Sequence, residues 1–391
     1  MIKLLLKYFF IYFCIWIYSL QTFSQEINNN SRVVIDTSVY TSLSVKCLGD
    51  MSAISLNDSL LFYLKETNPQ QTFIDFFCFN FNNQKESTIY AYFDKSCEYL
   101  NDRSAYPISD FWFYDTCLFV TSSNTIFCFN RQSDTTYLYS KKIVFSEFRS
   151  FFKTENFGDS IKLFWGASPK GTISLVLYDF VRDKKISSCE QIFRITPLLY
   201  FTPRDMIATN GKYVFYTNCN EYKIYIYDIQ FNKIDSIYYN KNNWTPLTEQ
   251  RSNEIMQKCK QPIDIIYNFD KEINAYSSIR RILSFNDYLV VFYSQTENDK
   301  WMHLYDLWQI DKEGKWKIID QSINDYTKGD KANKLYCFRN FVNNKDEIFA
   351  VEPDVSIFRK DYQTEEQYMK AYDNHQLKYD CVLKIEKLHF E

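Results

Sequence analysis

Charged residues that could grip a ligand recur at comparable places along this chain: Arg204-Asp205 directly after Pro203, Arg280-Arg281, Asp110 with Trp112, and Arg339. Each falls at the start of a segment that reads as the first strand of a sheet. Guanidinium groups collected at one mouth would hold a carboxylate or an acidic glycan through paired N–H donors. The competing reading of the same residues is that they pair with one another and leave nothing for a ligand. Catalytic motifs are missing. There is no Gly-x-Ser-x-Gly, phosphate-binding glycine loop, His-Glu-x-x-His or dinucleotide fingerprint. With 48 acidic residues, carboxylate pairs are too common to single out a glycosidase dyad. No histidine precedes His303, which weakens mechanisms needing a general base near neutral pH, although a carboxylate or tyrosine could substitute.

Metal and redox chemistry are equally unsupported. No Cys-x-x-Cys pair occurs and His303, His375 and His389 lie far apart, so neither a metal nor a cofactor is expected. Of the 11 cysteines, Cys78, Cys128, Cys337 and Cys381 sit inside apolar runs, where a free thiol packs as a small hydrophobe. The one disulfide to consider joins Cys219 to Cys259.

The elements that must position these residues begin after a leader. Lys3 and Lys7 precede an uncharged run from Tyr8 to Leu20, and Thr22-Phe23-Ser24 offers small residues ahead of Gln25. That is the pattern of a secretory signal peptide over residues 1–24, with an uncleaved anchor as the alternative. The expected location is periplasmic or secreted, with no membrane span once the leader is removed. Removing it, with two lysines and no acid, deepens the net charge from −3 to −5. A mild acidic excess without a basic cluster argues against nucleic acid and anionic membranes as partners. The 32 tyrosines and 35 phenylalanines favour strands, and with only seven glycines the turns must rely on Asn and Asp.

Two signals alternate through the chain. The first is a tight polar turn followed by an apolar strand: Asn57-Asp58-Ser59-Leu60-Leu61-Phe62, Asp115-Thr116-Cys117-Leu118-Phe119, Gly158 to Phe164, Asn210 to Phe215, Asn286 to Val291, and Lys345 to Phe349. The second is a strand ending in an aromatic-plus-Asp/Asn pair, then a polar turn and another strand. Its copies are Phe79-Asn80, Phe129-Asn130, Tyr178-Asp179 and Tyr227-Asp228, with a degenerate fifth at Tyr305-Asp306 running on to Ile310-Asp311 and Gly314-Lys315-Trp316. Two hairpins in series make a four-stranded antiparallel meander, and six such units predict a β-propeller. The sixth unit supplies only three strands of its own (334–341, 346–351, 379–390), and Arg32–Lys46 can provide the fourth and close the ring. Residues 25–391 then form one all-β domain. On these repeats the chain resembles the six-bladed propellers of bacterial envelopes, of the TolB-like superfamily. That resemblance implies a fold and no activity. The Gly-His and Trp-Asp marks of WD40 repeats are absent, and the single stretch Asp311–Trp316 is similar to a sialidase Asp-box but wrongly spaced.

The turns on one face of such a disc are all short, and the long connections fall on the other: 94–108, 240–278 and 352–378. Two short helices are expected there. One starts with Thr245 as cap and Pro246 at its first position and stops before Pro262. The other starts from Thr364-Glu365-Glu366-Gln367 and stops at Asn374. A binding protein that recognises a protein or glycan on this rim is the functional expectation. A propeller hydrolase or lyase acting on polysaccharide or peptide at the channel mouth is the alternative.

Overall fold

The alternation of polar turns and apolar runs is realised as a succession of antiparallel strands. The structure, a computed structural model, describes residues 33–45, 54–57, 60–64, 73–80, 82–83, 85–93, 108–158, 160–191, 205–241, 243–258, 276–297, 300–321, 340–344, 347–353 and 381–390. Strand β1 (Val33–Val45) comes first. A first meander holds β2 (Ile54–Asn57), β3 (Leu60–Leu64), β4 (Phe73–Asn80) and β5 (Lys85–Tyr92), and a second β6 (Ile108–Tyr114), β7 (Cys117–Ser122), β8 (Thr125–Arg131) and β9 (Thr136–Val144). The third holds β10 (Ser150–Asn156), β11 (Ile161–Ala167), β12 (Ile173–Asp179) and β13 (Lys184–Gln191). The fourth holds β14 (Ile207–Thr209), β15 (Val214–Thr217), β16 (Lys223–Tyr227) and β17 (Lys233–Tyr238). The fifth holds β18 (Ser278–Phe285), β19 (Tyr288–Glu297), β20 (Lys300–Ile310) and β21 (Trp316–Gln321). Last come β22 (Asn340–Asn344), β23 (Glu347–Pro353) and β24 (Cys381–Phe390). β1 completes this final sheet beside β24, from Val33 opposite Phe390 to Val45 opposite Cys381.

The chain is thus mostly β, built from four-stranded antiparallel sheets. One pairing departs from the repeat. The first and second meanders join into an eight-stranded sheet because their fourth strands, β5 and β9, pair in parallel with Tyr90 opposite Thr136. That contact covers two edges that would otherwise present unpaired backbone.

A second regularity has no counterpart in the sequence reading. The fourth strand carries a one-residue bulge against the third in four successive meanders: at Ser140 in β9, Ile186 in β13, Ile234 in β17 and Ile319 in β21. Each extra residue increases the local twist of the outer strand. First strands are bulged too, at Ser109 in β6, Phe152 in β10 and Arg280 in β18. The close approach at the β10 bulge explains Gly166 on β11, where an added Cβ would lie 2.0 Å from the Ser150 carbonyl oxygen.

The scarcity of glycine is met as composition requires. Asp115, Asp183, Asn243 and Asn286 take the left-handed backbone conformation at turns. Asp179, Asp228 and Asp311 each accept backbone N–H bonds from the turn that follows them. The fifth meander corrects the motif reading here. β20 runs through Tyr305-Asp306 to Ile310, and Asp311 is the turn residue, so Asp306 is left in mid-strand.

Apolar side chains alternate along the strands and fill the spaces between consecutive sheets. Leu163, Trp165, Leu175 and Leu177 of the third meander pack on Ile207, Val214 and Tyr216 of the fourth. Phe164 and Val176, on the opposite face, pack on Trp112, Phe119 and Cys128 of the second. Similar clusters join the first meander to the second and the fourth to the fifth. Cys78 and Cys128 are buried free thiols, with burial pushing Cys128 up to about 12.

The helix in the first insertion, α1 (Glu249–Lys258), is the one helix among the described residues, and no described helix is long and apolar enough to cross a membrane. It starts later than the sequence predicts. Thr248, not Thr245, caps it by accepting from the Arg251 N–H. Thr245–Leu247 cannot join the helix because its backbone is already engaged: Thr245 pairs with Ser277, and Asn220 bonds both the N–H and the carbonyl of Leu247. Leu247 and Ile255 anchor the segment on the core between the third and fourth meanders. The second expected helix (364–374), the insertion 352–378 beyond Pro353, Cys259, Cys337, and the leader lie outside the described residues.

Candidate functional site

The bulges in the first strands determine where the charged candidates point. In β6 the extra residue Ser109 turns Asp110 toward the neighbouring sheet. There the Asp110 carboxylate accepts hydrogen bonds from the Thr154 backbone N–H (3.0 Å) and hydroxyl (2.7 Å) on β10, and from its own neighbour Phe111. One sheet further on, Glu155 of β10 accepts from the Thr209 N–H of β14 (3.0 Å) and pairs with Lys153 at 3.1 Å. Burial raises the Glu155 pKa, opposed by Lys153 and by the Thr209 N–H. Just before β14, Asp205 meets Arg281 of β18 at 2.9 Å. Three successive junctions are therefore latched by a carboxylate that reaches from one first strand toward the next.

Arg280 and Arg281 part company at the bulge. Arg281 joins the latch with Asp205, whereas Arg280 donates from Nε to the Ser294 hydroxyl of β19 at 2.6 Å. Arg204 and Arg339 lie outside the described residues.

Trp112 is 5% exposed, sunk into the junction of the second and third meanders. One face stacks on Phe119 (5.2 Å, 7°), and Phe164 and Phe180 meet it edge-on. The Lys162 ammonium of β11 lies 4.6 Å from the same ring. Burial lowers the Lys162 pKa to about 8, against the opposing pull of Asp110 and Glu155.

The latches make a direct prediction. Asp110→Ala removes the acceptor of two inter-sheet hydrogen bonds and leaves the Thr154 N–H buried, so it is expected to cost about 1–3 kcal/mol. Thr154→Val, which keeps the backbone bond, should cost less. Urea denaturation of both variants checks the order.

The most tightly organised polar cluster among the described residues was not among the sequence candidates. Asp306, 0% exposed in β20, takes the Tyr222 hydroxyl, the Lys241 ammonium at 2.7 Å and the Gln321 amide at 3.0 Å. Lys241 also donates to the Tyr293 hydroxyl (2.8 Å) and lies 4.5–5.4 Å from the rings of Tyr293, Tyr239 and Tyr222. Trp308 donates its indole N–H to the Tyr222 oxygen at 3.1 Å. Burial lowers the Lys241 pKa, against Asp306. Burial and then Asp306 raise those of Tyr222 and Tyr293. The available signal was an aspartate in the middle of the apolar run Leu304–Trp308, which has to find a cation or several donors. Asp306, Lys241, Tyr222, Tyr293 and Trp308 are all paired with one another, which identifies the cluster as an anchor that ties the start of the first insertion to the fourth and fifth meanders.

No protein-family model matches the chain, and no curated protein does. Solved structures with a similar trace are β-rich. A member of the DUF4221 family from Bacteroides vulgatus shares 11% identity over 93% of this chain and 100% of that one, with a TM-score of 0.44. A chain of the mitotic checkpoint complex shares 7% over 90% and 91%, at 0.39. A hypothetical selenium-binding protein from Sulfolobus tokodaii shares 9% over 68% and 64%, at 0.38. At these values the likeness ends at a β-rich fold.

Proposed function

We propose that this protein is an exported, non-enzymatic binding module, a six-bladed propeller closed through β1 that holds a protein or glycan on its long-loop face. A leader at residues 1–24 would direct export, and residues 25–391 would form the ring. Support for the ring comes from the first strands, which touch in series from β22 through β2, β6, β10 and β14 to β18. The TolB-like resemblance belongs to the same reading.

The observation that carries binding over catalysis is the state of the inner carboxylates. Asp110, Glu155 and Asp205 each accept hydrogen bonds or an ion pair from the neighbouring strand. A hydrolase or lyase at this mouth would need carboxylates facing substrate, one of them free to exchange a proton. Carboxylates fixed in latches suit a rigid platform instead, on which Arg280, together with the candidates Arg204 and Arg339, would meet an acidic ligand.

Calorimetric titration of the mature protein with acidic and neutral oligosaccharides, and with acidic peptides, tests this. The expected result is binding of acidic members, weakened about tenfold or more in Arg280→Ala, with the ligand recovered intact by mass spectrometry. Cleaved ligand would replace the reading with the hydrolase or lyase. Binding indifferent to ligand charge and to Arg280 would remove the site.

A further inference from the structure

The turn between β14 and β15 carries the chain's single Asn-Gly pair, Asn210-Gly211. This pair is the sequence most open to deamidation, because glycine has no side chain to shield its backbone nitrogen from the neighbouring amide. Gly211 is exposed to water at a φ of +80°. In the fold, however, each reacting atom is held elsewhere. The Gly211 N–H donates to the Thr209 hydroxyl at 3.1 Å. Asn210 Oδ1 accepts from the backbone N–H groups of Lys212 (3.2 Å) and Tyr213 (2.9 Å). The Asn210 amide nitrogen, the group that would leave as ammonia, donates to the Asn286 carbonyl of the fifth meander at 2.9 Å. That last bond reaches outside the turn and ties the side chain to the joint between the fourth and fifth meanders. The other side is close as well, since a Cβ on Gly211 would lie 3.0 Å from the Phe157 carbonyl oxygen of the third meander.

We infer that Asn210-Gly211 is a self-modification site, guarded by the joint between the fourth and fifth meanders, whose product opposes reclosing of that joint. The Gly211 nitrogen attacks Asn210 Cγ while its proton passes through water to Nδ2. The N–Cγ bond forms, the Cγ–Nδ2 bond breaks, and ammonia departs to leave a cyclic succinimide. Water then adds to either carbonyl of the ring. Addition at Cγ gives aspartate on an unaltered backbone, and addition at the main-chain carbonyl gives isoaspartate, whose backbone is one methylene longer. Water is the only reagent, and no oxidant or reductant takes part. Either product puts a carboxylate where an amide donor met the Asn286 carbonyl, so acceptor faces acceptor. The longer backbone of isoaspartate must also fit beside Phe157, where one added carbon is already crowded. The reaction therefore runs one way: opening frees the site, and the product resists closing.

The test incubates the folded protein in alkaline buffer and the unfolded chain in concentrated urea, and follows the amide-to-acid change at Asn210 by peptide mass mapping. Conversion in the fold is expected to be slower by about tenfold or more, because it proceeds through the small fraction of open molecules. Asp306→Ala weakens the same joint from a distance, by releasing Tyr222 of the fourth meander from the fifth, and should speed conversion in the fold by about threefold or more. If that variant does not fold, urea below the unfolding transition of the wild type supplies the same readout. Asn210→Asp, the product made directly, should lower Tm by about 2 °C or more. Equal rates in buffer and urea, a rate untouched by loosening the joint, or an Asn210→Asp variant as stable as the wild type would each overturn the inference.

Discussion

Replacing Asp306 with alanine is expected to destabilise the protein by about 3–5 kcal/mol, because it leaves the Lys241 ammonium and the Tyr222 hydroxyl buried without their acceptor. The loss should show as a shift of the denaturant midpoint at unchanged slope. Removing the charge from both sides, as in Asp306→Leu with Lys241→Met, should recover much of it, since paired removal leaves no orphaned ion. A pH series supplies a second readout. Tyr222 and Tyr293 are held above the ordinary value of 10, so the unfolded chain loses these protons first as pH rises and the folded form loses stability above pH 10. Lys241, held below 10.5, contributes the opposite slope between its own pKa and that value. If Asp306→Ala costs less than about 1 kcal/mol, the cluster is not the anchor described here.

Deleting residues 25–46 should have the other large effect. It removes the strand that runs along β24 from Val33–Phe390 to Val45–Cys381, and it exposes the edge of the last sheet. Loss of a whole edge strand forfeits several backbone bonds at about 0.5–1.5 kcal/mol each, enough to lower Tm by ~10 °C or to cause aggregation. Deleting only residues 25–30, which precede β1, should leave Tm within about 2 °C of wild type. Equal behaviour of the two truncations would deny β1 its role in the last sheet.

Much of this architecture was legible because it rests on turns. Asp115, Asn286 and Gly211 adopt the left-handed conformations that mark hairpins, and the four-strand rhythm follows from them. The pairing of β1 with β24 was legible by counting strands in the last unit. The bulges were not, since one extra residue such as Ser109 or Arg280 leaves no mark in an apolar run, yet it decides which way Asp110 and Arg281 face. Asp306 was misplaced for a related reason. Tyr305-Asp306 has the same form as Tyr178-Asp179 and Tyr227-Asp228, and only the strand's continuation to Ile310 separates a turn residue from a buried anchor. Helix α1 began late because tertiary hydrogen bonds from Asn220 and Ser277 outweighed a good local cap at Thr245.

The pairing of β1 with β24 also gives the chain an order in time. Each inner meander joins strands close in sequence and can form as soon as its residues are free to fold. β1 cannot, because Val45 and its partner Cys381 stand roughly 340 residues apart. Closing a loop of that length costs about 5 kcal/mol of chain entropy, which only the other, already folded sheets can reduce by bringing the two ends together. β1 is thus paired with a strand made far later, and its backbone waits unmatched until β24 is in place. Opening the chain between β1 and β2 and splicing β1 directly after β24 would turn this longest-range contact into a hairpin. The permuted protein would keep the same sheets and lose the wait.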